Sequence, residues 1–311
     1  MHHDDILHAI GNTPLVELKH CGPRPEVRLF AKLEGRNPTG SVKDRIVREM
    51  VLEARNSGRL EPGARIIEAS TGNTGIALAM VGRALGHHVR IVIPENVFPE
   101  IPRTLEAYGA EIQWVPSELG VKRAIEVARQ VAADEGWYML DQFSDAANVR
   151  SHYEGTGTEI LEDMPQVDMF VAGLGTGGTL MGVGRRLKEA NPQARVIAVE
   201  PHPGNQVQGL KSLADGFIPP LLDYGLLDGK ILVRSGHAFR GAAELMRREA
   251  IFGGVSSGAV LHGAMKAIER LPRGNVVLLF ADSGWKYITT QMWTSSPKVH
   301  SDEDLDDVIW W

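Results

Sequence analysis

Met169-Phe170-Val171-Ala172-Gly173-Leu174-Gly175-Thr176-Gly177-Gly178-Thr179-Leu180-Met181-Gly182 reads as an apolar strand, a glycine-rich turn and the start of a helix. That crossing recurs wherever a parallel sheet is covered by helices. Its glycines expose consecutive backbone N–H groups at a helix start, and Thr176 and Thr179 add hydroxyl donors, so the turn suits a phosphate. Gly173, Gly175 and Gly178 also satisfy the Gly-x-Gly-x-x-Gly spacing of dinucleotide turns, with Glu200 downstream available for a ribose hydroxyl. No lysine follows the turn, so the Walker pattern fails.

Working outward, β-rich apolar runs alternate with helix-length amphipathic segments along most of the chain. Strands are expected at 28–33, 66–69, 89–93, 112–115, 169–172, 196–199 and 276–280, and helices at 44–55, 75–85, around 105–108, and at 121–134, 179–189 and 257–270. The expected class is α/β. At 311 residues with 43% hydrophobic and 23% charged residues, the chain is long enough for two domains or one large α/β unit with an ample core. The stretch 201–229 is long and weakly patterned, which inside a compact domain points to function or mobility. No apolar run reaches membrane-spanning length and the first residues lack a signal-peptide pattern, so the expected location is the cytoplasm. A net charge of −6 with interspersed signs argues against a nucleic-acid partner. The single cysteine, Cys21, cannot form an intramolecular disulfide and reads as a loop or core thiol.

Three further loops lead into helices. In Glu34-Gly35-Arg36-Asn37-Pro38-Thr39-Gly40-Ser41-Val42-Lys43-Asp44-Arg45, Lys43 falls in a first helical turn, where a cation opposes the macrodipole by ~0.3–1 kcal/mol. A lysine kept there suits work that needs an amine nucleophile, with Arg45 nearby to ease its deprotonation. Glu68-Ala69-Ser70-Thr71-Gly72-Asn73-Thr74-Gly75 places hydroxyls, an amide and two glycines at a helix start, which suits a carboxylate or phosphate and equally suits an ordinary capped turn. Gly253-Gly254-Val255-Ser256-Ser257-Gly258-Ala259 reads first as a capped helix start. Together the loops suggest a ligand crevice at the carboxyl ends of the strands.

These segments, with Ile10-Gly11-Asn12-Thr13-Pro14-Leu15 and Gly155-Thr156-Gly157-Thr158-Glu159-Ile160 in order, resemble the fold-type II pyridoxal phosphate enzymes, and among them the cysteine synthase and cystathionine β-synthase group. The resemblance implies a tryptophan synthase β-like fold of two domains, each a mostly parallel twisted sheet flanked by helices. Residues 36–141 would form a smaller mobile substrate domain and residues 1–35 with 142–295 a larger cofactor domain, followed by an acidic tail at 296–311. It implies pyridoxal 5'-phosphate held by Lys43 as a Schiff base, with Lys43 then acting as base and acid at the substrate α-carbon. Asn73 would meet the ring 3-oxygen, Gly175, Thr176, Gly177, Gly178 and Thr179 the phosphate, and Ser256 the pyridine nitrogen. Ser70, Thr71, Gly72, Thr74 and Gln142 would bind the α-carboxylate. No metal is implied. Two departures stand out: the group's Thr-Ser-Gly-Asn is here Ser70-Thr71-Gly72-Asn73, and its Asn-Pro-Ala-Asn around Gln142 is here Ser144-Asp145-Ala146-Ala147-Asn148.

Asn37-Pro38-Thr39-Gly40, Ser151-His152-Tyr153 and Ser283-Gly284-Trp285-Lys286-Tyr287 look more like B-type cysteine synthases, some of which prefer O-phosphoserine to O-acetylserine. Lys211 sits where those enzymes carry a basic phosphate-reading residue. The expected activity is β-replacement through an aminoacrylate, with sulfide or a sulfur-carrier protein's thiocarboxylate as donor and cystathionine synthesis from homocysteine as the alternative. A homodimer is the family habit. The tail ends in Trp310-Trp311, which resembles a segment that folds over the active site, with plain packing or a subunit contact as the other readings.

Overall fold

The structure, a computed structural model, describes residues 2–117, 120–290, 293 and 309–310. Its strands are β1 (Leu15–Glu17), β2 (Val27–Leu33), β3 (Arg65–Ala69), β4 (His88–Pro94), β5 (Glu111–Val115), β6 (Tyr138–Met139), β7 (Met169–Gly173), β8 (Arg195–Pro201), β9 (Gly229–Val233), β10 (Gly274–Phe280) and β11 (Ile309–Trp310). The α-helices are α1 (Lys43–Asn56), α2 (Asn73–Leu85), α3 (Glu100–Ala107), α4 (Gly120–Glu135), α5 (Ala146–Ser151), α6 (Gly157–Asp163), α7 (Gly178–Ala190), α8 (Ser235–Glu249) and α9 (Val255–Ala267). A π-helical turn, His152–Thr156, joins α5 to α6.

The chain divides into two compact units. One takes the segment up to Ile10 together with Asn37–Asn148, and the other takes Gly11–Arg36 and the chain from Val149 onward. Residues 2–10 thus go with the smaller unit, where the Arg48 guanidinium donates to the carbonyls of Leu7 and Ile10 at 3.1 and 3.0 Å.

The smaller unit is a parallel sheet in the order β5-β4-β3-β6. Alternation along β3 and β4 serves both faces. Ile66 and Ile91 pack with Ile46, Met50, Ile76 and Met80 of α1 and α2. Ile67, Ala69 and Val92 pack with Ala124 and Ala128 of α4. Because both faces are covered, these strands read as continuous apolar runs.

The larger unit is a sheet in the order β1-β2-β10-β7-β8-β9-β11, parallel from β2 through β9, with an antiparallel strand at each edge. Helices α8 and α9 cross so closely that a Cβ on Gly241 would lie 2.3 Å from the carbonyl oxygen of Gly258. Lys32 is fully buried on β2 and reaches the Thr13 carbonyl at 2.6 Å and Glu159 at 2.8 Å. A buried ammonium survives only with such partners.

The backbone of Ile309 and Trp310 pairs with Ile231 and Lys230. Trp310 therefore lies beside the amino-terminal half of β9, not beside the strand ends that feed the glycine-rich turns. A strand edge with free N–H and C=O groups attracts such pairing. For these two residues the pairing is a packing of the tail on the body, one of the readings open for it, while Trp311 and residues 294–308 lie outside the described residues.

Candidate active site

In the smaller unit, Lys43 is the first residue of α1, half-buried, with its N–H on Ser41 Oγ at 3.3 Å. Asp44 folds the preceding turn back on itself by accepting from the Thr39 N–H at 2.7 Å and from the Thr39 hydroxyl. This turn fixes where the lysine stem leaves the helix. Asp44 is fully buried, so the carboxylate near the helix start favours the dipole that Lys43 opposes.

The turn between β3 and α2 uses its residues unequally. Ser70 Oγ accepts from the N–H groups of Gly72 at 3.2 Å and Gly75 at 2.9 Å, so Ser70 serves the fold of the loop itself. Gly75 allows this, since a Cβ there would meet Ser70 and Ile91 at 3.1–3.4 Å. Gly72 caps α2 without any side-chain cap, so α2 presents backbone donors at its start, with Asn73 as its first residue and Thr71 just before it. Thr74 Oγ1 donates to Gln142 Oε1 at 2.7 Å. With its oxygen held there, the Gln142 amide has its NH2 group to offer, the correct sense for a carboxylate. Asn148 Nδ2 holds the Gln142 carbonyl at 2.8 Å. Ser70, Gly72, Thr74 and Gln142 are therefore brought together.

In the larger unit, α7 is capped at its start by Gly177, whose φ of 86° lies in the left-handed region. No side chain caps this helix, and the Gly178 N–H is only 3.4 Å from Thr176 Oγ1. A Cβ on Gly175 would sit 2.9 Å from the Gly209 carbonyl oxygen. Backbone donors, two hydroxyls and no carboxylate in the turn are a donor set that fits a phosphate.

Lys211 lies against this turn, its N–H donating to the Leu174 carbonyl at 2.7 Å. Desolvation pulls the Lys211 ammonium below its ordinary range, with Asp215 opposing the shift. Ser256 is the second residue of α9 and is buried. Its loop is fastened to the end of β10, where the Gly254 N–H donates to the Asp282 carbonyl at 3.0 Å and Tyr287 donates to Asp282 Oδ2 at 2.5 Å.

The supporting roles of several residues escaped the sequence reading. Glu68, His152, Asp282 and Tyr287 support the loops from behind, and only the polar residue at the end of an apolar strand could have flagged Glu68 and Asp282. His152 is fully buried, with Nδ1 3.0 Å from Thr156 Oγ1 and Nε2 3.1 Å from Thr179 Oγ1. Glu200 is occupied by Lys230 at 2.8 Å and by the Leu213 N–H at 3.0 Å, which leaves it a fastener of the 201–229 stretch and not a ribose contact. Cys21 is buried, and burial beside Glu249 pushes its thiol up to about 11, the opposite of an activated nucleophile. Among the described residues there is no cluster able to hold a metal and no helix long and apolar enough to cross a membrane.

The family model described as pyridoxal-phosphate dependent enzyme matches residues 6–282. Cysteine synthase of Aquifex aeolicus (strain VF5) is 41% identical over 302 residues, covering 94% of this chain and 92% of that protein. Cysteine synthase B of Escherichia coli (strain K12) is 36% identical over 283 residues, covering 91% and 93%. Among solved structures, an O-ureido-L-serine synthase superposes with a TM-score of 0.90 at 36% identity over 97% of this chain and 98% of its own. The cysteine synthase of Entamoeba histolytica gives 0.90 at 32% identity over 96% and 93%. With the match running through both units, the chain belongs to the pyridoxal-phosphate dependent enzymes of fold-type II and, within them, to the cysteine synthase family.

Proposed function

We propose that this enzyme makes cysteine by β-replacement on O-phosphoserine, with O-acetylserine the weaker ester and sulfide or a carrier-protein thiocarboxylate as sulfur donor. The observation that carries the choice of ester is Lys211, a partly desolvated cation held by its own N–H against the phosphate-type turn. A cation that has lost part of its water gains more from a dianionic leaving group than from a neutral acetyl.

Pyridoxal phosphate, the cofactor of this family, supplies an electron sink for the substrate α-carbon. The remaining work falls to the protein. Lys43 carries the cofactor through its amine and moves the α-proton. Asn73 and Ser256 orient the ring, and a neutral hydroxyl at Ser256 leaves the ring nitrogen without an enforced charge. Gly175, Thr176, Gly177, Gly178 and Thr179 hold the phosphate. Ser70 shapes the loop in which Thr71, Gly72 and Thr74, together with Gln142, bind the α-carboxylate. A cytoplasmic homodimer completes the proposal.

The deciding assay supplies purified holoenzyme with sulfide and each ester in turn and measures cysteine. Faster turnover of O-phosphoserine supports the reading. A clear preference for O-acetylserine overturns the ester assignment, and cystathionine formed in preference when homocysteine competes with sulfide overturns the choice of nucleophile.

A further inference from the structure

Glu68 is the last-but-one residue of β3, 1% exposed, on the face it shares with Ile66. Its Oε1 accepts from the N–H of Ala69 at 3.0 Å, while Oε2 is buried with no hydrogen-bond partner. A carboxyl in that state is costly unless the position demands it. What faces it is the corner after β6, since β6 runs beside β3 with Met139 opposite Ile67 and the Leu140 N–H donates to the Ile67 carbonyl at 3.4 Å, which brings Asp141 and Gln142 next to Glu68. Asp141 has a φ of 51°, unusual for a residue with a side chain, and leads straight into Gln142. The Gln142 side chain is the one tied to Thr74.

From this arrangement we infer that Glu68 is a positioning residue of the α-carboxylate site, setting the Asp141–Gln142 corner and through it the Gln142 amide. The inference rests on reading Gln142 as a contact of the substrate carboxylate. A carboxyl buried beside this corner attracts the backbone N–H groups of Asp141 and Gln142 toward β3 and resists relaxation of Asp141 out of the left-handed conformation.

The protonation state follows from the surroundings. Asp141 is the titratable neighbour. Ile91 pairs with Glu68 from β4, and α2 meets this face through Ile76, Ala77 and Met80, all uncharged. Desolvation, with Asp141 adding to it, pushes the Glu68 carboxyl up to about 8, against the opposing pull of the three N–H groups. A neutral Glu68 adds no anion behind a loop that receives an anion, whereas an ionised one does.

The test titrates holoenzyme with L-serine and with L-serine methyl ester, reading binding from cofactor absorbance, for the wild type and for Glu68→Ala, Glu68→Gln and Gln142→Ala. Glu68→Ala is expected to weaken L-serine about tenfold, as Gln142→Ala does, with the ester changed less than about twofold and cofactor content unchanged. Glu68→Gln, a permanently neutral mimic, should match the wild type near pH 7. It should then escape the extra loss of L-serine affinity that the wild type shows as Glu68 ionises.

Equal weakening of serine and ester in Glu68→Ala would mean general disruption and overturns the inference. Should Glu68→Ala fail to fold, parallel pH profiles for Glu68→Gln and wild type overturn it. If Gln142→Ala weakens L-serine and no Glu68 variant departs from wild type, Glu68 is idle and the carboxylate reading stands. If Gln142→Ala binds L-serine normally, that reading fails and the inference falls with it.

Discussion

Thr74, near the start of α2, donates its hydroxyl to the side-chain oxygen of Gln142, 68 positions further on, at 2.7 Å. One hydroxyl thereby decides which end of a buried amide is available to a ligand. Thr74→Val keeps the shape and removes the donor, leaving Gln142 Oε1 unpaired at about 1–3 kcal/mol. Amino-acid affinity should fall about tenfold with pyridoxal phosphate content unchanged, and Thr74→Ser should restore most of it. Titration of both variants with L-serine checks the pair; a normal affinity in Thr74→Val would show that Gln142 needs no such orientation.

Lys211→Ala should lower kcat/KM for O-phosphoserine by at least about tenfold and leave O-acetylserine within about threefold, because a desolvated cation discriminates by the partner's charge. The two ratios, measured side by side at low and high salt, decide it. An ester preference that does not move takes Lys211 out of substrate recognition.

Glu68 also makes stability depend on pH in a direction opposite to most carboxylates. In the unfolded chain it ionises near 4.5, while the folded protein holds the proton up to about 8. Between those values the native state binds the additional proton, so this group's contribution falls as pH rises, by up to about 1.4 kcal/mol per unit, and is flat above. Melting curves of wild type and Glu68→Gln from about pH 5 to about pH 9 should therefore diverge, the variant gaining relative to wild type. A constant gap would mean that Glu68 is already ionised in the fold.

Gly177→Ala forces a side chain into the left-handed region at φ 86°, costing roughly 1–2 kcal/mol. Gly204→Ala carries a similar φ of 78° with nothing within 4 Å and serves as its control. Both should lower the melting temperature comparably, but only Gly177→Ala should also weaken pyridoxal phosphate binding, as measured by reconstitution of the apoenzyme. Equal cofactor affinity in the two would separate the turn from the phosphate.

Much of this was legible in the residues. The seven strands expected from apolar runs all form, with ends shifted by no more than two residues, because strands buried on both faces announce themselves by continuous apolar composition. Elements whose existence depends on partners were not legible. β6 is only Tyr138–Met139, paired beside Ile66 and Ile67. β9 emerges from a stretch with little pattern of its own, and its neighbour β8 defines it.

The site divides in the same way. Lys43 and the glycine turns stood out because each breaks a local rule, a cation at a helix start or glycines in a row. Glu68, His152 and Asp282 break none that spacing can detect. Their roles come from burial against residues distant in the chain, as when Gly254 leaves no room for a Cβ beside Asp282.

The His152 ring joins the π-helical turn to Thr179. Gly182 lets α7 press so closely on that turn that a Cβ there would meet the Val149 carbonyl at 2.4 Å and His152 Cβ at 2.6 Å. Any anion that takes hold of the Thr179 hydroxyl therefore tugs on the π-helical turn through His152. Amide exchange in His152–Thr156 becomes a loading gauge, slowing when the turn is occupied and readable in a protein that has no colour.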